Sequence, residues 1–312
     1  MKGRFFLAMG LVALLGCAKE EVRQSSSIKG SIPPASVPLP KDLVKTWDGS
    51  PNLEAGLHPR DILLFEDFEE TDYRKNWRVH WGEAVGAGTV ENPSPYVLGG
   101  SRSAYLQNLK RQHGAIGAGE YVPGTPLDEA GFFRLYLRLQ DGFSMGTSNQ
   151  LKLITIRGGS SIEKTYGGAG GKSDGTDKFS VDLCIDNSRS LHFYYYHADQ
   201  WGGFGDITFC QISFFRSAKI SRDRWNCLEL MLRNNTPGQK NGQLAAWLDG
   251  RPVGRVDGLR FRHSDAVKIR RFAVIDYFGG DNVMDTSPQD QRIYIDNLVI
   301  SRKPVGCSGL GS

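Results

Sequence analysis

Two stretches decide the fold of this chain, Gln150-Leu-Lys-Leu-Ile-Thr-Ile-Arg-Gly-Gly159 and Leu191-His-Phe-Tyr-Tyr-Tyr-His-Ala-Asp-Gln200. Each is a short run rich in β-branched and aromatic residues, which predicts a β-strand. Because successive side chains of a strand point to opposite faces, Tyr194 and Tyr196 are expected to share one face, and Tyr195 and His197 the other. One face of the predicted sheet therefore carries two phenols.

Similar runs recur along the chain, separated by turn-forming clusters such as Gly167–Gly171 and by the two-residue hairpin signal Asp249-Gly250. No helical periodicity is sustained, so the fold class is all-β. A two-sheet jelly-roll sandwich is the economical arrangement, because two sheets bury each other's apolar faces. The predicted strands are Asp61–Phe68, Ala104–Leu109, Phe132–Leu139, Leu151–Ile156, Phe179–Ile185, Leu191–His197, Ile207–Phe215, Trp225–Leu232, Gln243–Leu248, Phe272–Phe278 and Arg292–Ser301.

The first sixteen residues, Met1–Gly16, have a basic start, a short apolar core and a small residue at the cut site, which predicts a secretory signal peptide. Leu14-Leu-Gly-Cys17 resembles a bacterial lipobox, which implies that Cys17 becomes the lipidated first residue of the mature chain. An ordinary signal peptide with a chance cysteine is the alternative. Ala18, where an aspartate would retain a lipoprotein at the inner membrane, favours a lipid-anchored protein of the bacterial cell envelope, at the outer membrane.

The composition changes after the lipobox. Residues 17–60 are rich in Ser, Pro and Lys and have no regular apolar period, so we expect the lipidated Cys17 to be followed by a disordered, flexible tether. Residues 61–307 have the size of one large β-sandwich. The predicted organisation is therefore signal (1–16), tether (17–60) and a single domain (61–307).

Net charge excludes one class of partner. The full chain has 38 basic and 34 acidic residues, and loss of Lys2 and Arg4 with the signal leaves 36 against 34. A nucleic-acid-binding protein normally has a strong basic excess. We therefore expect no nucleic acid partner.

Four cysteines remain after Cys17: Cys184, Cys210, Cys227 and Cys307. An even number in an exported protein predicts disulfides, but four cysteines allow three pairings and the sequence does not choose among them. Their spacing contains no Cys-x-x-Cys, so metal binding by thiolates is not expected.

A set of motifs occurs in a fixed order over most of residues 130 to 300. The motifs, each weak alone, are Phe132–Arg138, Lys152-Leu153, Gly158-Gly159, Tyr194–Gln200, Arg224-Trp225, Asn235–Gly238, Asn241-Gly242, Trp247–Gly250, Tyr277–Gly280 and Asp296-Asn297. In this order they resemble the family 14 polysaccharide lyases, which have a concanavalin A-like jelly roll.

The resemblance implies which residues act. In that family a lysine in a Lys-Leu-x-Gly-Leu-x-Gly-Gly strand and the tyrosines of a Tyr-x-Tyr strand carry the catalysis, which implies Lys152, Tyr194 and Tyr196 here. This chain departs from the pattern, because Ile154-Thr-Ile-Arg157 replaces the glycine-containing centre. The candidate substrate-binding residues are Arg157, Arg138, His197, Gln200 and Trp201.

These residue types suit β-elimination on a uronate polysaccharide. The uronate carboxylate must be neutralised as charge builds up, and Lys152 and Arg157 are the candidate cations. A guanidinium grips a carboxylate through two parallel hydrogen bonds. Tyr194 and Tyr196 would transfer the proton if nearby cations lower their pKa values. No organic cofactor or catalytic metal is required.

Structural roles are the alternative for several of these residues. Tyrosines often fill sandwich cores, His192 and His197 are more simply explained by local hydrogen bonds, and Trp201 either packs or stacks on a sugar ring. The chain lacks the Glu-x-Asp-x-x-Glu carboxylates of a related hydrolase.

A structural calcium ion is a further hypothesis. In many jelly rolls such an ion ties the first strand to the last, and Glu66, Asp67 and Asp296 supply hard oxygen ligands. Hydrogen bonding at turns and edges is the alternative for these carboxylates.

Two function classes remain. The first is a monomeric, envelope-anchored lyase that binds and cleaves an acidic polysaccharide. The second is a non-catalytic carbohydrate-binding lipoprotein with the same fold, of the laminin-G-like kind. A purely structural lipoprotein would leave the combination of Lys152, Tyr194 and Tyr196 as an accident.

Overall fold

The apolar runs form two antiparallel sheets in the computed structural model, which describes residues 57, 59–70, 78–79, 88–92, 94–114, 119–165, 171–213, 216–279 and 285–307. One sheet contains β1 (Ile62–Glu66), β3 (Gly88–Glu91), β4 (Arg102–Asn108), β6 (Ala130–Leu139), β13 (Asn226–Arg233), β14 (Gly242–Leu248), β15 (Arg251–Leu259) and β17 (Gln291–Ser301). Its order is β15-β14-β13-β6-β17-β4-β3, with β1 also against β17. We call it the eight-stranded sheet.

The other sheet holds both stretches on which the sequence argument rests. It contains β2 (Arg78–Val79), β5 (Gly119–Tyr121), β7 (Leu151–Gly159), β8 (Lys178–Ile185), β9 (Leu191–Tyr196), β10 (Asp206–Phe209) and β16 (Lys268–Phe278). Its order is β10-β9-β8-β7-β16-β5-β2, and we call it the seven-stranded sheet. A separate pair consists of β11 (Gln211–Ser213) and β12 (Arg216–Ser217), and short 3-10 turns span Pro59–Asp61 and Glu163–Thr165.

The core lies between the two sheets. Alternate residues of β6, Phe133, Leu135 and Leu137, enter one large cluster of buried side chains. Phe133 meets Phe272 of the opposite sheet edge to face, with ring centroids 6.2 Å apart. Burying a side chain of this size contributes roughly 1.5–3 kcal/mol. The predicted all-β, two-sheet jelly-roll sandwich is confirmed.

Strand boundaries differ from the sequence prediction at edges. The sequence prediction omits β15, whose Arg251-Pro-Val-Gly stretch contains the two residues that weaken a strand signal. Because β15 is the outermost strand of its sheet, Pro252 is tolerated there. The single run predicted over Ile207–Phe215 is instead divided between β10 and β11.

An irregularity in β7 decides which of its side chains share a face. The register against β8 shifts between Lys152 and Ile154, and both Leu153 and Ile154 belong to the core cluster. Such a bulge adds one residue to a strand and changes the alternation beyond it. Lys152 and Arg157 lie an odd number of residues apart, so regular alternation would place them on opposite faces, but the bulge brings both to the outer face.

One disulfide is present, between Cys227 and Cys307, and Cys184 and Cys210 are free and buried. The disulfide prediction therefore holds for one pair of the four cysteines. In the part of the chain that the structure describes, no helix has the length and apolar character needed to cross a membrane.

Candidate active site

Three rows of facing residues cross the outer face of the seven-stranded sheet, which we call the Lys152 face. The first row runs Tyr277, Lys152, Cys184, His192, Phe209; the second Ala273, Thr155, Asp182, Tyr194, Ile207; the third Arg271, Arg157, Ser180, Tyr196. Neighbouring rows are about 7 Å apart along a strand. The side chains of Lys152, Tyr194 and Tyr196 therefore meet on one face, which the sequence predicted for the two tyrosines.

Lys152 forms an ion pair with a carboxylate of the next strand. Its Nζ lies 3.1 Å from Oδ2 of Asp182, whose side chain is 3% exposed. Burial opposes the charge of the ammonium, but Asp182, Cys184 and Tyr196 together outweigh it and raise the pKa of Lys152 above its ordinary value. Lys152 is therefore a charged group and a poor proton acceptor.

The two tyrosines form a hydrogen-bonded pair. Their hydroxyl oxygens are 2.8 Å apart, and their rings meet edge to face with centroids separated by 5.4 Å. The Lys152 Nζ lies 4.5 Å from the centre of the Tyr194 ring, within cation–π range. Tyr195, on the other face, belongs to the core and bonds Thr208 through its hydroxyl group.

The surroundings of Tyr194 do not favour its phenolate, the form that could act as a base. Burial, and then the hydrogen bond with Tyr196, raise the pKa of Tyr194 far above its usual value. The expected lowering by cations is therefore not found for Tyr194. The backbone N–H of Gly205 donates to the Tyr194 oxygen over 3.2 Å and opposes this shift of the pKa, but burial dominates and keeps the phenol neutral.

Arg157 differs from the other cations near the tyrosine pair. Arg271, its neighbour on β16, is fully buried and paired with Glu120 at 2.6 Å. The Nη1 of Arg157 instead donates to the backbone carbonyl of Thr165 over 3.4 Å, and its Nε has no hydrogen-bond partner. No carboxylate pairs with Arg157 within the described ranges, so its charge is not neutralised.

The residues after β9 build a loop that contacts the tyrosine pair. His197 Nε2 lies 2.8 Å from Asp206 Oδ2, and the His197 N–H donates to the side chain of Gln200. Gln200 is fully buried and donates to the carbonyls of Gly202 and Phe204. Both predicted substrate-binding residues therefore act as supports of this loop.

Trp201, in the same loop, is 98% exposed. It is accessible to solvent, and its binding of a sugar stays a prediction. Four other large apolar side chains that follow it along the chain are also exposed. Those are Phe204, Ile207, Phe209 and Ile212.

Arg138 lies elsewhere. It is on β6 of the eight-stranded sheet, where it faces Tyr294 of β17, and its guanidinium donates to the Pro95 carbonyl and lies 4.9 Å from the Tyr96 ring centre. Its neighbours Leu137 and Leu139 enter the core, so Arg138 points outward from the opposite side of the sandwich. The prediction that it binds substrate beside Lys152 is corrected: Arg138 is not part of this site.

The carboxylates proposed as calcium ligands accept backbone hydrogen bonds. Glu66 accepts from Phe68 N–H, Asp67 from Glu69 N–H, and Asp296 from the N–H groups of Leu98 and Asn297. Burial raises the pKa of Asp296 to about 7. Among the residues that the structure describes, no group of three or more His, Cys, Asp or Glu is placed to hold a metal ion. These bonds match the turn-and-edge alternative, and calcium binding stays a prediction.

Asp182 is the member of the site that the sequence argument missed. A usable signal was present in Phe179-Ser-Val-Asp-Leu-Cys-Ile185, where an acidic residue interrupts an apolar strand on the face opposite Val181 and Leu183. A buried carboxylate requires a cation or hydrogen-bond donors nearby, and Lys152 of the neighbouring strand is a candidate. Cys17, the predicted lipidation site, lies outside the described residues.

Solved structures share this fold. The chain is similar to an alginate lyase from Chlorella virus, at 18% identity and a TM-score of 0.60, over 78% of this chain and 100% of that one. It is similar to a marine family 14 alginate lyase from Aplysia kurodai (17% identity, TM-score 0.60, 77% of this chain, 98% of that chain). It is also similar to an endo-β-1,4-glucuronan lyase from the fungus Trichoderma reesei (14% identity, TM-score 0.52, 78% of this chain, 96% of that chain).

At these identities the structural likeness establishes the fold alone. No curated protein matches the sequence. The family model described as Polysaccharide lyase 14 matches residues 139–298, more than half of the 312-residue chain. That span includes β7, β8 and β9, which carry the Lys152 face. The chain belongs to the polysaccharide lyase 14 family.

Proposed function

We propose that this protein cleaves a uronate polysaccharide by β-elimination. The observation that carries the proposal is the meeting of Lys152, Tyr194 and Tyr196 on one sheet face, with the two hydroxyl oxygens 2.8 Å apart and the ammonium 4.5 Å from the Tyr194 ring centre. A cation beside two coupled phenols supplies both charge stabilisation and proton transfer.

The reaction removes the proton beside the uronate carboxylate and expels the neighbouring glycosidic oxygen. The carbon–hydrogen bond at C5 and the carbon–oxygen bond at C4 break, and a double bond forms between C4 and C5. Negative charge builds up on the carboxylate in the transition state, so a cation at that group lowers the barrier. Lys152 and Arg157 are the candidate cations of this face.

Tyr196 is assigned the proton transfer. The two hydroxyl oxygens share one hydrogen bond, and with Tyr194 as its donor that bond stabilises negative charge on the Tyr196 oxygen. The Tyr196 phenolate takes the C5 proton, and the phenol so formed gives a proton to the leaving oxygen. The phenolate is thereby restored at the end of each cycle.

Relatives support the substrate class. The similar solved structures include alginate lyases and a glucuronan lyase, and one is an alginate lyase mutant in complex with an alginate tetrasaccharide. Alginate and glucuronan both consist of uronates. An acidic polysaccharide is therefore the proposed partner of this chain. An assay with alginate and polyglucuronate determines which polymer is cleaved.

The location is proposed from the sequence. A lipid on Cys17, followed by the tether of residues 17–60, would hold a monomeric domain near the outer membrane of a bacterial cell envelope, where long extracellular polysaccharides are accessible. Labelling with a radioactive fatty acid tests the anchor, because Cys17→Ser should abolish incorporation.

The assay that tests the activity separates elimination from hydrolysis. The purified protein is incubated with alginate and with polyglucuronate, and the products are followed by ultraviolet absorbance and by reducing ends. Elimination yields unsaturated ends that absorb, whereas hydrolysis yields reducing ends without absorbance. We expect absorbance to rise in step with reducing ends on at least one polymer.

A non-catalytic carbohydrate-binding role is the second candidate. It is favoured by the burial of Tyr194 and Tyr196, which are only 9% and 6% exposed. A folded protein that retains uronates on an affinity gel and releases no absorbing product from either polymer would support this role and contradict the lyase.

A further inference from the structure

Resting on the proposed lyase function, we propose that the carboxylate of the reacting uronate binds Arg157, and that Asp182 keeps that carboxylate away from Lys152. The two cations thus have different tasks on the same face. Arg157 is the specificity-determining residue for the acid group, and Lys152 supports the tyrosine pair.

The first argument is the charge balance around Lys152. Its ammonium is 3.1 Å from the Asp182 carboxylate, so the pair carries no net charge. A substrate carboxylate placed against Lys152 would lie close to Asp182 in a site with little water, where like charges repel strongly. Asp182 is 2% exposed, so solvent does little to screen this repulsion.

The second argument is that no carboxylate among the described residues neutralises the charge of Arg157. Of the cations in the three rows, Lys152 and Arg271 are each paired with a buried carboxylate, Asp182 and Glu120. Arg157 is partly exposed and, within the described part of the chain, has only the 3.4 Å contact with the Thr165 carbonyl. A guanidinium in this state suits bidentate binding of a carboxylate.

The third argument is position. Arg157, Ser180 and Tyr196 face one another in the same row across β7, β8 and β9. The carbon that loses its proton is bonded directly to the uronate carboxylate. A carboxylate held at Arg157 therefore directs that carbon along the row toward Tyr196, whereas one held at the Lys152 ammonium would lie beside Asp182 in the neighbouring row.

The test compares free and methyl-esterified forms of the polymer that the protein cleaves, alginate or polyglucuronate. We expect the wild-type kcat/KM to favour the free acid by about 100-fold, because esterification removes the charge that Arg157 binds. Arg157→Gln should lower kcat/KM on the acid by about 100-fold and abolish the preference. Arg157→Lys should retain part of the preference, because lysine keeps the positive charge and loses only the two parallel hydrogen bonds that a guanidinium forms with a carboxylate.

Two further variants make the result specific. Lys178→Gln is the matched control, since Lys178 lies on the same face one row beyond Arg157, opposite Gly159, and it should change the preference less than threefold. Asp182→Asn removes the negative charge beside the Lys152 ammonium and keeps nearly the same side-chain shape. We expect no gain in kcat/KM on the free acid. Retention of the preference in Arg157→Gln, or an increased kcat/KM in Asp182→Asn, would overturn the proposal.

Calorimetric measurement of oligouronate binding distinguishes failure of this inference from failure of the proposed lyase function. If the protein binds oligouronates without cleaving them, the proposed lyase function is contradicted. The inference about Arg157 is then tested by the ratio of the Kd values for the free acid and its methyl ester in each variant. If the wild type binds neither form, both proposals are overturned.

Discussion

Two tyrosine clusters lie on opposite outer faces of the sandwich, and both carry cations over their rings. On the seven-stranded sheet, Lys152 lies over Tyr194, which meets Tyr196 edge to face. On the eight-stranded sheet, Tyr96 stacks on Tyr294 with ring centroids 4.0 Å apart. We call these the Tyr194 cluster and the Tyr294 cluster. The second also includes Tyr105, Arg138 and Arg292.

The clusters differ in what surrounds the hydroxyl groups. In the Tyr194 cluster the two phenol oxygens bond each other, and the cation is matched by a buried carboxylate. In the Tyr294 cluster the rings stack face to face, and the Tyr96 hydroxyl accepts from the backbone of Asp141. Aromatic rings with a cation nearby are therefore insufficient to identify a reactive site. Coupled hydroxyls beside a buried ion pair are the distinguishing feature.

The largest expected effect separates the two clusters by activity. Tyr196→Phe deletes the oxygen that transfers the proton and keeps the ring, so kcat on the cleaved uronan should fall by about 10³-fold with little change in binding. Tyr294→Phe should leave kcat within twofold. Equal losses in the two variants, with both proteins folded by circular dichroism, would contradict the assignment of function to the Tyr194 cluster.

A smaller effect separates the cations by stability. Lys152→Met leaves the Asp182 carboxylate buried without its partner, and should lower the free energy of unfolding by about 2–3 kcal/mol in urea titrations. Adding Asp182→Asn should restore most of that loss, because no unpaired charge remains. Arg138→Met, in the Tyr294 cluster, should cost less than about 1 kcal/mol, because its carboxylate partner Asp141 is largely exposed and is not left as an unpaired buried charge. Failure of the second substitution to restore stability would contradict the ion-pair explanation.

The smallest expected effect concerns a buried carboxylate next to the Tyr294 cluster. Asp182 has a cation, whereas Asp296 is held by Ser103 and by backbone N–H groups, and burial raises its pKa to about 7. The unfolded chain loses this proton near pH 4, so between about pH 4 and pH 7 the folded state binds more protons and this contribution to stability falls as pH rises.

Asp296→Asn should therefore flatten the dependence of unfolding free energy on pH. We expect the decrease between pH 5 and pH 7.5 to shrink by about 1–2 kcal/mol relative to wild type, measured by urea titration at each pH. Asp265→Asn, at an exposed position, is the control and should leave the slope unchanged. An unaltered slope in Asp296→Asn would mean that this carboxyl does not titrate in that range.

Much of the fold could be predicted because it depends on local patterns. Alternating apolar residues in β6, β13 and β17 specify strands with one face in the core between the sheets, and the predicted ranges overlap the observed ones. Edge strands were harder to predict. β15 contains Pro252 and Gly254, and β3 has only four residues, so neither gives a strong periodic signal.

The candidate site, like the fold, could be predicted only in part from the sequence. Alternation in β9 was sufficient to place Tyr194 and Tyr196 on one face and Tyr195 in the core. The supporting roles of His197 and Gln200 depend on contacts with Asp206 and with loop carbonyls, which no spacing rule gives. Arg138 was misplaced because its strand resembles the others, and the sequence does not state which sheet a strand joins.

The sequence by itself determined the strands, the alternation that pairs the two phenols, and the presence of lysine and arginine in β7, because these follow from side-chain chemistry within a few residues. The tertiary structure decided the rest. The β7 bulge placed Lys152 and Arg157 on one face, and the order of strands brought Asp182 to Lys152 and left Arg157 without a carboxylate. Charge neutralisation depends on distances of a few ångströms between strands, and such distances exist only once the sheet has formed.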